Sequence, residues 1–490
     1  MPRRRDRLNR KILLLVSISF ILILIQGIRY KGSLKEANDL FAILTNDLTR
    51  IAAPSTTSTA DKRETTLSQF MQQSKEVDTP SLQLMMEFLK THDPPHVHSE
   101  SITDVQAEQK RCERYGFTYD AKNGRKTRRR IFYGSNIADD SWHAIGSHAA
   151  EAYGLYHTMV LVESNVTHMR TPRSLRFAPG SLNDQALKSG IWGPADTTHV
   201  FMDHFYDNGQ PLDNTGDVYG LLQEDMQREL VLKRWLEQGM TPDDVGIVGD
   251  VDEFFSRDFL LAATSCDIPQ FRPGQDCRKP KLAGQTMLFE SAPDCITKDR
   301  YWFHPDMISG QCVHGVGDST LHPEAKRVMG VGLRLAGYGH NGDDIYNLPK
   351  GTKYFPLFKP SDIRMQGGAR MVANRGSHSA FHLHNFFVSI EVLRNKYKTY
   401  THGYRGEERL HPLGEFHEDV DLAVRCMMDR KDDHLPFLRR KEGFQSIDGE
   451  LQPIAFQNEK YRKARFDEIK TEIVEDEKKY GVFDGKYPKS

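Results

Sequence analysis

The chain has 490 residues, and its 66 basic and 67 acidic side chains leave a formal net charge of −1. No basic tract lies outside the N-terminus, so the amount and distribution of charge argue against a nucleic-acid partner. The length allows one large domain together with smaller segments.

The first 28 residues predict a membrane anchor. Basic residues crowd positions 1–11, and an apolar stretch follows at 12–28; its length is close to the lower limit of the ~17–25 residues that a membrane helix needs. A cleaved signal peptide is the alternative, but polar and basic residues stand where small residues would precede a cleavage site. By the positive-inside rule, 1–11 is cytoplasmic and everything after residue 28 is lumenal. A short span suits the thinner membranes of the early secretory pathway, and we expect the Golgi membrane.

The polar segment 29–109 predicts a lumenal stem that holds a domain at 110–490 away from the membrane. The segment is rich in Ser, Thr and charge, and Pro54–Thr59 is typical of a flexible, O-glycosylated linker. Amphipathic patches at 40–51 and 82–89 each fit a short helix. Self-association of these patches is an alternative, which leaves oligomers through the stem open.

All six cysteines fall on the predicted lumenal side, where the compartment is oxidising. Their number is even and no Cys-x-x-Cys pair indicates a zinc site, so disulfides are expected, although the sequence does not choose among the pairings. The sequon Asn165-Val166-Thr167 fits lumenal N-glycosylation.

The region 110–490 alternates strand-like and helix-like segments. Short, largely apolar runs predict strands at 130–134, 159–163, 199–203 and 245–249. An amphipathic pattern predicts a helix over 218–238. Strands that alternate with helical crossovers predict an α/β fold with a mostly parallel sheet flanked by helices. The charged stretch from about residue 439 is expected to cap the domain at its periphery.

The most informative motif, Asp250-Val251-Asp252-Glu253, follows the last of these runs. An apolar run without alternation is typical of a parallel strand buried on both faces. Its carboxyl end lies in the crevice where open α/β sheets bind ligands. Two carboxylates one residue apart present oxygens to a hard divalent cation, which in turn holds a diphosphate. The alternative is a solvated acidic turn, because Asp-x-Asp alone is a short pattern.

Six segments, taken in chain order, carry a resemblance to a known family: Val160–Thr167, Pro172–Phe177, Gln227–Leu230, Asp250–Glu253, Phe381–Phe386 and Tyr400–His402. Together they resemble glycosyltransferase family 17, the family of β-1,4-mannosyl-glycoprotein 4-β-N-acetylglucosaminyltransferase, over roughly residues 130–402. The chain departs from the family at Phe254-Phe255, where the family has Ile-Pro. We expect this departure to affect the acceptor, and the donor, more than the fold.

The resemblance implies a Rossmann-like GT-A fold and an inverting glycosyltransferase. It implies transfer of N-acetylglucosamine from UDP-GlcNAc to the β-linked mannose of N-glycans, on a glycoprotein or glycan acceptor. The implied cofactor is Mn²⁺ or Mg²⁺, which as a Lewis acid stabilises the charge that develops on the departing diphosphate.

The candidate metal ligands are Asp250, Asp252 and a histidine. Asp252 is the better candidate for direct coordination, and Asp250 is also a candidate for binding the donor. A histidine near the C-terminus often completes the metal site in GT-A enzymes, and the resemblance favours His382 ahead of His402 and His384. A structural or surface histidine is the alternative.

Two further residues are candidates for binding the donor. Glu163 ends the second predicted strand on the same edge as Asp250, where it either binds uridine or ribose hydroxyls or pairs with Arg228. The guanidinium of Arg228 suits a carboxylate or a phosphate, and a solvated helix face is its alternative.

An inverting transfer needs a general base that takes the proton from the acceptor hydroxyl. Asp318 is the first candidate because a Gly-rich turn at 315–317 brings it towards the substrate, and Glu290 and Asp294 follow. Glu253 either orders the site, meets the acceptor or caps the next turn. The aromatic block 295–306 predicts acceptor binding, with a disulfide-stapled surface loop as the alternative.

Two other functions are compatible with these residues. One is a lumenal GT-A glycosyltransferase with a different donor or acceptor, for matrix or cell-wall glycans, which Asp-x-Asp does not distinguish from the first. The other is a catalytically silent glycan-binding protein, against which the intact acidic motif argues.

Overall fold

The computed structural model describes residues 80–92, 102–122, 124–168, 170–207, 221–273, 277, 281–293, 295–297, 304–316, 360–365, 370–372, 378–389, 391–392, 437–439 and 452–480. The predicted anchor at 12–28 and the patch at 40–51 lie outside these ranges, as do Asp294, Asp318 and His402. No helix in the described ranges has both the length and the apolar character needed to cross a bilayer.

The strands are β1 (Ile131–Asn136), β2 (Tyr156–Ser164), β3 (His199–Phe205), β4 (Val245–Val248), β5 (Glu253–Phe255), β6 (Lys281–Gly284), β7 (Thr286–Glu290), β8 (Cys295–Thr297), β9 (Asp306–Ser309), β10 (Arg370–Val372), β11 (Ala380–His384) and β12 (Phe437–Arg439). The helices are α1 (Pro80–Thr91), α2 (Val105–Arg114), α3 (Trp142–Ala152), α4 (Leu182–Leu187), α5 (Leu221–Glu237), α6 (Arg257–Ser265), α7 (Pro360–Met365), α8 (Ile454–Gln457) and α9 (Glu459–Tyr480).

The main sheet has seven strands in the order β10-β6-β9-β4-β1-β2-β3. The four predicted strands, β1 to β4, are parallel neighbours joined by α3, α4 and α5. Next to them β9 runs antiparallel to both β4 and β6. The prediction of mostly parallel strands flanked by helices is therefore confirmed, and the sequence did not foresee the antiparallel β9.

Helix α5 lies close to the sheet because glycines face it. A Cβ atom at Gly134 of β1 would lie 2.1 Å from Val231 Cγ1, and one at Gly246 of β4 would lie 2.7 Å from the Trp235 ring. The indole N–H of Trp235 also donates to the Tyr133 carbonyl oxygen at 3.3 Å. These contacts fix the helix over β1, with its N-terminal turns at the carboxyl edge of the sheet.

We expect Gly134→Ala to lower the free energy of unfolding by about 1–3 kcal/mol, because the new methyl group must displace Val231. Urea denaturation measures the loss. Val231→Ala makes room for that methyl, so the double variant should lose less than the sum of the two single losses. Losses that simply add would contradict the close approach.

A second sheet, in the order β12-β8-β7-β11-β5, packs into the same core. Its strand β5 contains the last residue of the acidic motif and pairs antiparallel with β11, so that Glu253 lies opposite His382. On its other side β11 pairs parallel with β7, which brings His384 beside Glu290. The second sheet therefore carries the candidate histidines to the acidic motif.

The packed domain begins earlier than the predicted boundary at residue 110. Helix α1, in the predicted stem, buries Leu82, Met85, Met86 and Leu89 completely in the main core. It lies so close to α3 that a Cβ atom at Gly146 would be 2.3 Å from Met85 Cγ. The patch predicted at 82–89 is therefore helical, as expected, but its apolar face belongs to the domain.

Disulfides agree with the expectation from the even number of cysteines. Cys112 pairs with Cys266, which ties α2 to the end of α6, and Cys277 pairs with Cys312. Cys295 is also disulfide-bonded. Cys112 lies near the predicted start of the domain at residue 110, so the Cys112–Cys266 bridge links this start covalently to the end of α6.

A buried carboxylate, Glu151, joins two helix starts to α3. It accepts hydrogen bonds from the backbone N–H groups of Arg257 at 2.6 Å and Ile454 at 2.7 Å. Burial raises its pKa to about 7, although these hydrogen bonds and the charge of Arg257 oppose the shift.

We therefore expect Glu151 to make stability depend on pH. Between about pH 4.5 and 7 the folded state keeps a proton that the unfolded chain has released, so its contribution to stability falls as the pH rises. At about 1.4 kcal/mol per tenfold change in proton affinity, the total fall is about 3 kcal/mol. Urea denaturation of the wild type and Glu151→Gln across this range measures it. A stability difference between them that does not change with pH would contradict the assignment.

Candidate functional site

The main sheet has a topological switch point at β1. From β1 the chain proceeds outward to β2 and β3 on one side, and it then returns to form β4 on the other side of β1. Ligands of open α/β sheets bind in the crevice outside the carboxyl ends of the strands at such a point. Asn136 ends β1 and Asp250 follows β4 by two residues, so the acidic motif lies at the place that the topology favours.

Two guanidinium groups hold Asp250. Arg228 on α5 donates from Nη2 to Oδ1 at 2.9 Å, and Arg364 on α7 donates from Nη2 to Oδ2 at 2.6 Å. Both arginines are almost fully buried, whereas the Asp250 side chain is 41% exposed. Arg228 also pairs with Glu224 on its own helix. Both oxygens of Asp250 are thus engaged by arginines, which is not how a direct metal ligand is held.

Glu253 is buried under the same arginine. Arg364 donates to both of its carboxylate oxygens, to Oε1 at 3.0 Å, and the Asp250 backbone N–H donates to Oε2 at 3.0 Å. Burial alone would raise the pKa of Glu253, but the charge and hydrogen bonds of Arg364 bring it well below the usual range. A carboxylate with so low a proton affinity is a poor general base, so the arrangement favours the predicted ordering role.

Asp252 and His382 form the pair that the sequence predicts as metal ligands. His382 Nε2 lies 3.6 Å from Asp252 Oδ2, and both side chains are nearly buried. The Leu383 N–H donates to the Asp252 carbonyl oxygen at 2.8 Å, which aligns β11 with the motif. Burial by itself lowers the pKa of His382, but the charge and hydrogen bond of Asp252, together with the charges of Glu253 and Glu290, raise the pKa above its usual value. The pair thus combines a carboxylate oxygen and an imidazole nitrogen at one point of the crevice.

In the described ranges, no group of three or more His, Cys, Asp or Glu side chains is arranged to hold a metal ion. A Mg²⁺-type site needs only one or two carboxylates, with phosphates and water supplying the other ligands. The donor set of Asp252 and His382 fits this requirement, whereas Asp250 does not fit it while Arg228 and Arg364 occupy its oxygens.

Glu163 ends β2 at the same edge and is fully buried. Its two oxygens accept the backbone N–H groups of Arg176 at 2.7 Å and Phe177 at 2.8 Å, and Arg173 lies 3.4 Å away. Burial raises its pKa, and these backbone hydrogen bonds reduce the shift. Glu163 thus holds the segment after β2, and Arg228 pairs with Glu224 and Asp250 rather than with Glu163.

Glu290 at the end of β7 is likewise engaged. His384 Nδ1 lies 3.0 Å and 2.8 Å from its two oxygens, and Asn385 Nδ2 donates to Oε1 at 2.5 Å. A carboxylate held by three such contacts is better suited to orienting His384 than to accepting a proton. Asp318, the first candidate base, lies outside the described residues.

The departure at Phe254-Phe255 belongs to the core. Both rings are completely buried, and Phe254 stacks on the His148 ring at 4.8 Å. His148 in turn hydrogen-bonds the Val251 carbonyl oxygen at 2.9 Å, so this packing supports the acidic motif from below. The expectation that these residues alter the acceptor therefore lacks a structural basis, because neither ring reaches the surface.

Sequence reasoning missed two groups at the site. Arg364 lies more than a hundred residues beyond the motif, on the short helix α7, and no local pattern marks it. The second is Lys281 of β6, whose Nζ pairs with Asp306 Oδ1 at 2.9 Å. Asp306 Oδ2 also contacts His304 Nδ1, and both of these residues belong to the block 295–306 predicted for acceptor binding, but their link to Lys281 was not foreseen. The register of β4 and β9 places Asp306 opposite Val248, a relation that only the sheet reveals.

The site therefore consists of an acidic motif, two buried arginines and a histidine, which four separate segments bring together. Asp252 and His382 present a carboxylate oxygen and an imidazole nitrogen that could hold a cation, and the guanidinium groups of Arg228 and Arg364, paired with Glu224, Asp250 and Glu253, belong to the same site. Such a site can hold a diphosphate. No protein-family model, no curated protein and no solved structure matches this chain.

Proposed function

We propose that the chain is a type II Golgi membrane glycosyltransferase with a GT-A fold. It transfers N-acetylglucosamine from UDP-GlcNAc, with inversion and with Mn²⁺ or Mg²⁺, to the β-linked mannose of N-glycans. The observation that carries the proposal is the 3.6 Å approach of His382 to Asp252 at the switch point of the sheet. The family resemblance selects both residues, although they are far apart in the sequence. A shared binding site explains their contact better than chance does.

The proposed roles follow from the contacts. Asp252 and His382 would hold the cation, which when bound supplies Lewis-acid stabilisation of the departing diphosphate. Asp250 orders Arg228 and Arg364, whose guanidinium groups are suited to bind phosphate oxygens. Glu253 keeps Arg364 in place from the buried side.

The acceptor hydroxyl loses its proton to a carboxylate while its oxygen attacks the anomeric carbon, and the bond to the diphosphate breaks with its electron pair. Glu253 and Glu290 are engaged by Arg364 and by His384 with Asn385. Asp318 and Asp294 remain, and we propose Asp318 as the base because the sequence ranks it first.

A donor screen tests the function. The full-length protein in detergent is incubated with each sugar nucleotide and an N-glycan that has a β-linked mannose, with and without a chelator, and UDP or GDP release is measured. We expect release from UDP-GlcNAc that the chelator removes. Release from another donor would replace this function by another glycosyltransferase activity, and no release from any donor would favour a silent glycan-binding protein. A truncated form that begins near Gln109 is unsuitable because it lacks the buried helix α1.

A further inference from the structure

The crevice contains buried polar groups that the described part of the chain leaves without hydrogen-bond partners. They are both side-chain polar atoms of Asn136, both of Gln223, Nε2 of Gln227 and Nη1 of Arg228. Gln223, Gln227 and Arg228 are 0%, 3% and 1% exposed. Buried polar side chains in folded proteins nearly always have a partner, either protein or ordered water, so several lone groups at one place are suited to a polar ligand.

Strand and helix periodicity place these side chains near one another at the carboxyl end of β1. Side chains alternate along a strand, so Asn136 is on the same face as Gly134, which touches Val231 of α5. Gln227 and Gln223 lie one and two turns before Val231 on that side of the helix. They therefore continue the apolar stripe of α5 past the end of β1, next to Asn136.

This cluster forms the β1 side of the crevice, and Asp250 lies on its β4 side. Arg228 connects the two, because Nη2 binds Asp250 Oδ1 at 2.9 Å while Nη1 is buried without a hydrogen-bond partner in the described part of the chain. A ligand that fills the cluster is therefore adjacent to the proposed diphosphate position.

The chemistry of the cluster favours a nucleobase. An amide presents a donor and an acceptor side by side in one plane, which is how Asn and Gln read base edges. The lone groups comprise four nitrogens and two oxygens, so the ligand must offer mainly acceptors. Uracil meets this requirement, with two carbonyl oxygens on either side of one N–H.

We propose that Asn136, Gln223 and Gln227 form a pocket that selects the uracil base of the donor. The proposal rests on the proposed function, because the donor is a uridine nucleotide only if that function holds. The polar atoms of these amides are buried without hydrogen-bond partners in the described part of the chain, and the base would satisfy them on binding.

The test combines affinity with stability, using the full-length protein in detergent. Calorimetry measures binding of UDP, CDP, GDP and inorganic diphosphate in the presence of Mn²⁺, and urea denaturation measures stability without ligand. The variants are Gln223→Met and Gln227→Met, which keep the side-chain length, and Gln238→Met, just after the C-terminal end of α5, is the control.

We expect the wild type to bind UDP at least about tenfold more tightly than CDP or GDP. Each pocket variant should lose about tenfold in UDP affinity and keep its affinity for diphosphate. Its stability without ligand should be unchanged or higher, because a partnerless buried amide is removed. The control should match the wild type.

Three results would overturn the proposal. If the wild type prefers UDP and the pocket variants keep that preference, the amides do not read the base, and the proposed function still stands. If the variants lose stability without ligand, the amides have a structural role instead. If the wild type binds no uridine nucleotide, the proposed function fails and the uracil assignment fails with it.

Discussion

Asp252→Asn is expected to abolish Mn²⁺-dependent turnover of the UDP-sugar while the domain stays folded. The substitution keeps the shape of the side chain but removes the charge that lies 3.6 Å from His382 Nε2, and a neutral amide is a poor ligand for a hard cation. UDP release at saturating Mn²⁺ measures turnover, and circular dichroism with urea denaturation checks the fold.

Two matched variants distinguish the proposed metal ligand from other acids. Asp243→Asn removes an acid from the exposed turn before β4, and we expect normal turnover. Asp250→Asn weakens the hold on Arg228 and Arg364, so Mn²⁺ affinity should be kept while turnover falls. Unchanged turnover in Asp252→Asn would refute the site assignment, and loss of Mn²⁺ affinity only in Asp250→Asn would exchange the two roles.

Arg364→Met is expected to lower the free energy of unfolding by about 3–5 kcal/mol at neutral pH, because it leaves Glu253 buried without its cation. In the wild type the lowered pKa of Glu253 means that the pair contributes above about pH 4.5 and loses its contribution as the pH falls. In the variant, burial without the arginine raises that pKa. The deficit of the variant should therefore shrink on acidification from pH 7 towards 4.5, as Glu253 takes up a proton.

Urea denaturation across this pH range measures the deficit. The double variant Arg364→Met with Glu253→Gln removes both charges, and we expect it to recover much of the loss at neutral pH. Arg272→Met breaks an exposed pair with Asp267 and should change stability little. A deficit that persists in the double variant, or that does not depend on pH, would show that Arg364 stabilises by packing alone.

The local patterns of the sequence predicted the parallel half of the main sheet well. Each of its strands is a short apolar run, and the helix predicted over 218–238 is α5 at Leu221–Glu237. These elements depend on neighbouring residues, whose periodicity the sequence displays directly. Which residues of α5 are buried is less evident from the pattern, because the apolar Met226 is 37% exposed, whereas the polar Gln223 and Gln227 are buried.

The stem boundary had no such local signal. The amphipathic patch at 82–89 predicts a helix correctly, but whether its apolar face meets the domain or another stem is a question of long-range packing. The burial of Met85 against Gly146 answers it. In the same way, the sequence does not say which of the other cysteines pairs with Cys112, and the packing of α2 against α6 places it beside Cys266.

The sequence by itself determined the position of the acidic motif after β4 and the succession of the parallel strands along the chain. It also provided Asp252 and His382 as candidates. Only the tertiary structure decided which side chains each of these acids contacts. Arg364 lies on a helix far along the chain, and its guanidinium group donates hydrogen bonds to Asp250 and Glu253. Asp252 instead lies beside His382. The physical reason is that the proton affinity and ligand capacity of a carboxylate depend on burial and on neighbouring charge. Both are set by residues that sequence spacing does not bring together.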